Sequence, residues 1–181
     1  MVKYYNLINK LLKNRNQYIW YACYGSNINY DRFMLYINGG KYATKKGCSD
    51  KSRPLEFKKY IFKHPIYFAG ESKNWTGGMA FLDYKKIGKC YGKIYKIKLS
   101  QFIEIYEQEN KLYNHVLLLD YIDDIPVLTF TSRIRLNNLL NNPSSRYIQI
   151  IVKGLKDLNY NLTKNQIDNY FRNKEEIWKN Q

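Results

Sequence analysis

Apolar positions fall at helical spacing near the start of the chain and then change to strand-like runs. The first pattern predicts an amphipathic helix with a basic outer face within residues 1–16. The apolar and aromatic run at 17–24 is typical of a buried strand. A second helical pattern, at about 28–37, ends at Gly39-Gly40, because glycine favours helix termination.

A polar stretch without periodicity covers residues 39–55 and predicts a long surface loop, of the kind that often forms a lid over a site. Strand-like segments follow in close succession: EFKKYIF, PIYFAG, GGMAFLDY and CYGKIYKIK. Two further strands, VLLLDYI and PVLTFTSRI, flank Asp123-Asp124, which predict a hairpin turn.

Three helices are predicted in the second half of the chain. The segment LSQFIEIYEQEN has helical spacing, with Ser100 as its N-cap. Asn142 is the predicted cap of the next helix, because Pro143 suits a first helical position. Thr163 and Gln166 have the spacing of a capping box and predict the start of a last helix.

These elements indicate a single α+β domain over residues 1–181, with a curved or closed sheet. Hydrophobic residues make up 45% of the chain and aromatic residues 17%, which favours a folded globule over a disordered chain. No apolar run approaches the roughly 18 residues of a membrane helix, and no signal peptide is recognised. We therefore expect a cytoplasmic protein whose N-terminal helix packs on the domain.

The net charge of +15 is compatible with a nucleic-acid partner, because 30 Lys and Arg residues face 15 Asp and Glu residues. Two features weaken that interpretation. The chain is rich in Lys, Asn, Ile and Tyr, which A/T-rich codons encode, and its basic residues are scattered. A nucleic-acid-binding protein therefore remains only as a remote alternative.

Cysteine and histidine give little support for redox, metal or nucleophilic chemistry. Cys23, Cys48 and Cys90 are an odd number without Cys-x-x-Cys spacing, so we expect neither a disulfide framework nor a metal or other cofactor site. The two histidines, His64 and His115, are interpreted as structural. Cys23 is interpreted as a small buried thiol and not as a nucleophile.

The segment YIWYACYGSN, residues 18–27, ends a strand in Gly-Ser-Asn directly before a helical pattern. These are ordinary turn residues, so the segment has a purely structural interpretation. A strand–turn–helix junction also presents backbone N–H groups to an anion, which is a chemical interpretation. Gly77-Gly78 similarly permits either the close approach of a ligand or a bulge.

Glu109 is the one carboxylate of the FIEIYEQEN helix that is aimed along an apolar face. It lies seven residues after Phe102 and three after Tyr106, whereas Glu104 and Glu107 fall elsewhere and face water. A carboxylate shielded from water in this way suits proton exchange near neutral pH. The alternative is that Glu109 lies beyond the helix end and only caps or solvates it.

Several of these segments resemble the γ-glutamylcyclotransferase-like superfamily and occur in the same order. YACYGSN resembles its Tyr-Gly-Ser-Asn signature, while YEQEN and PSSRYIQIIVKGL resemble its glutamate block and its Pro-Ser-x-x-Tyr block. WTGGMAFL and CYGKIYKI resemble the blocks between them, so the resemblance spans about residues 18–158. It implies a small mixed or antiparallel β-barrel flanked by helices, with a pocket at the barrel mouth.

The resemblance also implies an activity, the conversion of γ-glutamyl amino acids, peptides or amines to 5-oxoproline and a free amine. It implies that Glu109, the second glutamate of its block, is the catalytic acid/base. The substrate-binding residues that it implies are Tyr147 and the signature loop, which consists of Tyr21, Ala22, Cys23, Tyr24, Gly25, Ser26 and Asn27.

This chemistry needs no enzyme nucleophile, because the substrate's α-amine attacks its own γ-carbonyl and closes a five-membered lactam. A well-oriented ring closure of this kind can gain on the order of 7–11 kcal/mol from proximity. Glu109 would take a proton from the α-ammonium and deliver one to the departing nitrogen. The N–H groups around Gly25, Ser26 and Asn27 would bind the α-carboxylate or the developing oxyanion, and Ser26 or Asn27 would cap the following helix.

The glutamate block departs from the family pattern, since it continues into NKLYN without the glycine of characterised cyclotransferases. A γ-glutamyl acyltransferase or hydrolase, and a non-catalytic γ-glutamyl binder, therefore stay as alternatives. The expected partner is a small-molecule γ-glutamyl substrate. The chain is expected to act as a monomer or homodimer, with no membrane partner.

Overall fold

The structure is a computed structural model and describes residues 17–40, 45–160, 162–163, 165–167 and 170–171. The predicted N-terminal helix, within residues 1–16, lies outside the described residues. None of the described helices is long and apolar enough to cross a membrane.

The described chain forms a mixed α+β fold, which confirms the predicted fold class. The strands are β1 (Tyr18–Cys23), β2 (Glu56–Phe62), β3 (Ile66–Ala69), β4 (Met79–Leu82), β5 (Cys90–Lys98), β6 (His115–Ile122) and β7 (Ile125–Thr131). The α-helices are α1 (Tyr30–Asn38), α2 (Leu99–Glu107) and α3 (Ser145–Asp157), and a 3-10 turn (Ser26–Ile28) precedes α1.

Five of the strands form one mixed sheet in the order β2-β5-β1-β7-β6. β5 pairs antiparallel with both β1 and β2, β6 pairs antiparallel with β7, and β1 runs parallel to β7. β3 and β4 form a separate antiparallel ribbon. The predicted hairpin turn joins β6 to β7, and its residues Asp123 and Asp124 have φ of 50° and 60°, the left-handed conformation that a tight two-residue turn needs.

The described strands do not close into the β-barrel that the resemblance implied, because side chains occupy the outer edge of β4 where a further strand would pair. The Thr131 hydroxyl accepts a hydrogen bond from the Leu82 N–H and donates one to the Leu82 carbonyl, each at 3.0 Å. The Ala80 N–H donates to the Tyr147 hydroxyl at 3.3 Å, and the Tyr113 hydroxyl donates to the Ala80 carbonyl at 2.8 Å. These side-chain bonds attach the ribbon to the sheet, but they do not add a strand to it.

Aromatic packing holds α1 against the sheet and positions the turn after β1. The rings of Phe33 in α1 and Tyr95 in β5 stack with centroids 4.0 Å apart, and both side chains are buried. The Tyr95 hydroxyl donates to the carbonyls of Asn27 (3.0 Å) and Ile28 (3.3 Å). A single core residue therefore fixes both the helix and the Gly-Ser-Asn turn in front of it.

The cap of α1 differs from the prediction. Its N-cap is Asn29, whose side chain accepts a hydrogen bond from the Arg32 N–H at 3.0 Å, and not Ser26 or Asn27. The reason is the intervening 3-10 turn, which moves the helix start beyond the signature residues. Gly39 ends α1 as expected, with φ of 81° and its N–H bonded to the Leu35 carbonyl.

The predicted caps of α2 and α3 are also wrong. At α2 the Gln101 side chain accepts from the Lys98 N–H at 3.1 Å, and Ser100 lies inside the helix. At α3 the cap is Ser144, whose hydroxyl accepts from the Tyr147 N–H at 3.2 Å. Asn142 lies outside that helix, because its backbone is bonded to the ribbon instead.

That bond explains why glycine occupies positions 77 and 78. The Gly78 N–H donates to the Asn142 carbonyl at 2.8 Å, and a Cβ at Gly77 would lie 2.6 Å from the same oxygen. The two glycines therefore admit a neighbouring segment of backbone, which is neither the ligand contact nor the bulge that the sequence suggested.

The described part of the polar loop, residues 45–55, packs on α2 and the residues that follow it. The Lys45 ammonium donates to the Gln108 carbonyl at 2.8 Å, and the Gly47 N–H donates to the Gln108 side chain at 3.0 Å. Lys98 and Asp50 form an ion pair at 2.7 Å. These contacts place Lys45 beside the cavity described next.

Candidate functional site

A cavity of about 350 Å³ lies between the end of β1, α1, the loop after α2 and the loop that joins β3 to β4. The structure brings together in its lining every residue that the sequence assigned to a site: Tyr21, Ala22, Cys23, Tyr24, Gly25, Ser26, Asn27, Glu109 and Tyr147. Their roles in binding and catalysis remain predictions.

Glu109 reaches the cavity from a loop and not from a helix face. The helix α2 ends at Glu107, and the Glu109 N–H donates to the Tyr106 carbonyl at 3.1 Å. The prediction that Glu109 lies on an apolar face of the helix was therefore wrong. Glu109 lies beyond the helix end, which was the alternative. Glu109 is nevertheless half-buried and lines the cavity, whereas Glu104 and Glu107 do not line it.

Gln108, the central residue of the Glu-Gln-Glu block, holds this loop in place. Its side-chain amide donates to the carbonyls of Tyr36 (3.2 Å) and Glu104 (3.0 Å), and its side-chain oxygen accepts from the Gly47 N–H (3.0 Å). The amide thereby joins α1, α2 and the polar loop. Because Gln108 is anchored on three sides, the backbone of the next residue, Glu109, has a defined position.

Three buried tyrosines and the half-buried Tyr113 lie close enough to the Glu109 carboxylate to be affected by its charge. Burial, followed by the Glu109 charge and a hydrogen bond to its carboxylate, raises the pKa of Tyr36 well above the ordinary value. Burial and the same charge also raise the pKa of Tyr21 and Tyr113, and raise the pKa of Tyr147 to about 12. All four hydroxyls therefore keep their protons at neutral pH.

Cys23 lines the cavity, but its environment does not favour a nucleophile. Burial raises the pKa of its thiol well above the ordinary value, so the reactive thiolate is disfavoured. Neither His64 nor His115 lies in the cavity lining. The structural interpretation of Cys23 is therefore supported.

The turn at Gly25 lies directly against Tyr147. A Cβ at Gly25 would be 2.9 Å from the Tyr147 hydroxyl, so a glycine is needed for the two to come this close. The Asn27 side-chain amide donates to the Tyr21 hydroxyl at 3.2 Å, while its oxygen is buried and has no hydrogen-bond partner. An unpaired acceptor thus lies in the wall of the cavity.

Sequence reasoning missed several cavity residues: Arg32, Tyr36, Lys45, Trp75 and Tyr113. A signal for the first was present, because Arg32 lies one position before Phe33 and one turn before Tyr36 on the helix predicted to face the core. A charged residue at such a position calls for a partner, which is the argument that was applied to Glu109.

No cluster of three or more histidine, cysteine, aspartate or glutamate side chains suited to a metal ion occurs within the described ranges. The donors and acceptors of the cavity are instead two carboxylates, three cationic side chains, several amides and the hydroxyls of serine, threonine and tyrosine. This arrangement suits a small zwitterionic molecule that carries both ammonium and carboxylate groups.

The same fold occurs in known structures. A protein described as "Gamma-glutamyl cyclotransferase" matches with a TM-score of 0.62 at 17% identity, over 85% of this chain and 86% of its own. The uncharacterized protein loc79017 from Homo sapiens matches with a TM-score of 0.61 at 17% identity, over 84% and 86%. YkqA from Bacillus subtilis matches with a TM-score of 0.61 at 18% identity, over 92% of this chain and 57% of its own.

These matches confirm, at the level of fold, the resemblance noted in the sequence. No protein-family model matches the chain. Among curated proteins, "Histone deacetylase 5" of Arabidopsis thaliana is 29% identical over 183 aligned positions, which cover 76% of this chain. The chain spans 28% of the length of that relative.

Proposed function

We propose that the chain is a γ-glutamylcyclotransferase-like enzyme that releases 5-oxoproline from a γ-glutamyl amino acid, peptide or amine. The observation that carries this proposal is the convergence of the Glu109 carboxylate and the Tyr24–Asn27 turn on one cavity. The fold shared with a γ-glutamyl cyclotransferase supports it by analogy.

In the proposed reaction, Glu109 accepts a proton from the α-ammonium of the substrate. The freed amine attacks the γ-carbonyl carbon, a C–N bond forms, and the lactam ring closes. The original amide C–N bond then breaks while Glu109 returns its proton to the departing nitrogen, and the ring nitrogen gives up its second proton, which the free amine takes up as an ammonium ion at neutral pH. The products are 5-oxoproline and a free amine, and the enzyme is regenerated without a covalent intermediate.

The surrounding groups have matching roles in this proposal. The Asn27 amide, which donates to the Tyr21 hydroxyl at 3.2 Å, fixes the position of that ring in the wall of the cavity. The Tyr36 hydroxyl, hydrogen-bonded to Glu109, orients the carboxylate. The backbone at Gly25 and Ser26 provides N–H donors for the α-carboxylate or for the oxyanion that develops on the γ-carbonyl.

The direct test is the release of 5-oxoproline from a panel of γ-glutamyl compounds by the wild type and by Glu109→Gln. We expect the substitution to lower turnover by about 10²- to 10⁴-fold, because general acid–base catalysis contributes about that much. Glu107→Gln is the matched control, since Glu107 is exposed at the end of the adjoining helix and outside the cavity lining.

Activity that survives Glu109→Gln would contradict the catalytic role of this residue. Binding of γ-glutamyl compounds without release of 5-oxoproline from any of the panel would instead favour a non-catalytic binder. Transfer of the γ-glutamyl group to an added amine or to water would favour the acyltransferase or hydrolase.

A further inference from the structure

Arg32 is a buried cation at the wall of the cavity that has no carboxylate partner among the described residues. The residue is 9% exposed, and its Nε has no hydrogen-bond partner. Among the described residues no carboxylate lies within ion-pair distance of its guanidinium. Since taking a charged group out of water is costly unless it is paired, this position calls for an anion that the described residues do not supply.

The guanidinium is held in place by aromatic rings. Its central carbon lies 5.3 Å from the centroid of Tyr36 and 5.6 Å from that of Trp75. Such contacts stabilise the cation over the ring faces while its N–H groups stay available in the guanidinium plane. A planar fork of donors with a fixed orientation matches a carboxylate, which accepts two parallel hydrogen bonds.

Lys45 adds a second positive charge on the same side of the cavity. Its ammonium lies 3.8 Å from the centroid of the Tyr36 ring and donates to the Gln108 carbonyl. Burial lowers the pKa of Lys45, while the charge of Glu109 acts in the opposite direction. Tyr36 is therefore flanked by two cations, with the Glu109 carboxylate bonded to its hydroxyl.

The charges of the lining favour a ligand with one excess negative charge. Arg32 and Lys45 exceed Glu109 by one positive charge, and the remaining charged lining residues, Glu71 and Lys73, cancel each other. A γ-glutamyl compound with a plain amine as leaving group has one ammonium and one carboxylate and is neutral. A γ-glutamyl compound whose leaving amine carries its own carboxylate has the complementary charge of −1.

The two ends of such a substrate have separate places in the cavity. The turn that carries Gly25 and Ser26 offers N–H donors for the carboxylate of the γ-glutamyl end, as set out above. Glu109 serves both the α-amine and the departing nitrogen, so it lies between the two ends. The side of the cavity with Arg32 and Lys45 is then the place of the leaving group.

We infer that Arg32, assisted by Lys45, binds a carboxylate on the leaving amine and so makes the enzyme specific for γ-glutamyl amino acids or peptides over γ-glutamyl amines. Arg32 is in this scheme a specificity-determining residue. The inference rests on the proposed function for the identity of the γ-glutamyl end.

The test uses two substrates that differ by one carboxylate, γ-glutamylalanine and γ-glutamylethylamine. Binding to the full chain is measured by calorimetry, and release of 5-oxoproline is measured separately. We expect the wild type to bind γ-glutamylalanine about 10- to 100-fold more tightly, which is the range of charge-assisted hydrogen bonds. Arg32→Gln should abolish this preference while it leaves the binding of γ-glutamylethylamine almost unchanged.

Arg146→Gln is the matched control. Arg146 lies 5.7 Å from the centroid of Trp75 as Arg32 does, but it is exposed and outside the cavity lining. The preference for γ-glutamylalanine should persist in this variant. A thermal unfolding curve of each variant establishes that the protein is folded, and Arg32→Lys should restore part of the preference.

The outcomes separate the two proposals. Equal affinity of the wild type for both compounds, or an equal loss of both in Arg32→Gln, overturns the specificity inference even if 5-oxoproline is released. A preference for γ-glutamylalanine that depends on Arg32, without any release of 5-oxoproline, supports the inference and contradicts the proposed reaction. Binding of neither compound overturns the inference together with the γ-glutamyl identity of the ligand.

Discussion

Among the arginines that lie over aromatic rings in the described chain, one beside the β3–β4 ribbon and one in the cavity differ in their partners. Arg135 lies 4.8 Å from the centroid of Tyr67 and forms an ion pair with Asp83 at 3.4 Å, with side chains 21% and 7% exposed. Arg32 lies over rings in the same manner but has no carboxylate partner among the described residues. The charge of Arg135 is paired with Asp83, whereas the charge of Arg32 is available to pair with a ligand.

Uncharged polar groups show the same contrast. On the outer edge of β4, Thr131, Tyr113 and Tyr147 bond the backbone of the ribbon. In the cavity, the oxygen of Asn27 has no partner, and two of the four buried, unpaired side-chain atoms of the described chain belong to its lining. Such unpaired groups are costly to stability, and two of them lie at the site that is proposed here to bind a ligand.

Alkaline pH is expected to have the largest effect on stability, because Tyr147 both lines the cavity and bonds the edge of the ribbon. Burial raises the pKa of Tyr24 and of Tyr147, the latter to about 12. An unfolded tyrosine titrates near pH 10. The stabilisation from these residues is therefore present below pH 10 and is lost as the pH rises toward 12, where the unfolded state releases protons first.

We expect cooperative unfolding between pH 10 and 12, measured by circular dichroism together with tyrosinate absorbance. The two signals should change at the same pH. Tyrosinate that appears near pH 10 in a protein with unchanged circular dichroism would contradict the burial of these hydroxyls.

Thr131→Val is expected to have the next largest effect on stability, because it removes hydrogen bonds that attach the ribbon to the sheet. Valine has nearly the same shape, but it leaves the N–H and the carbonyl of Leu82 without their side-chain partner. At about 1–3 kcal/mol for each of the two unsatisfied groups, the free energy of unfolding should fall by roughly 2–6 kcal/mol. Urea denaturation measures this change.

Thr129→Val serves as the comparison for that variant, since Thr129 makes one side-chain hydrogen bond, to the Ala22 carbonyl at 2.7 Å. We expect it to be destabilised less than Thr131→Val. An equal loss in both variants would show that the attachment of the ribbon edge has no special importance.

Asp83→Asn and Arg32→Gln compare the two arginines directly. Asp83→Asn should lower the free energy of unfolding by about 1–3 kcal/mol, because it removes a hydrogen bond between charged groups that are largely buried. Arg32→Gln should leave that free energy unchanged or raise it, since the charge it removes has no carboxylate partner among the described residues. Thermal unfolding of both variants without ligand provides the measurement, and a marked destabilisation of Arg32→Gln would contradict the contrast.

Asp50→Asn is expected to have the smallest effect. The Asp50–Lys98 ion pair connects the polar loop to the start of α2, but both side chains are about 30% exposed, at 29% and 31%. Exposed pairs contribute about 0–1 kcal/mol, and salt screens them. We expect a change in unfolding free energy below about 1 kcal/mol, which decreases further at high salt in a urea titration.

Much of this architecture was accessible from local patterns. The strand segments, the Asp123-Asp124 hairpin and the end of α1 at Gly39 depend on periodicity and turn chemistry, which act over a few residues. The candidate residues Glu109 and Gly25 were also identified in advance, because a resemblance between separated segments adds to local chemistry. Caps were predicted less well, since alternative cap residues stand side by side in the chain.

The sequence by itself thus defined the elements and the residue types at the site, whereas their convergence depends on contacts between distant parts of the chain. The bonds of Thr131 and Tyr147 to the edge of β4, which leave the sheet open, follow from packing that no local pattern records. Arg32 appears in the sequence as one basic residue among 30 Lys and Arg, and it is distinguished by its burial without a carboxylate partner among the described residues. The physical reason is that the cost of an unpaired charge arises from its removal from water, which is a property of the folded environment.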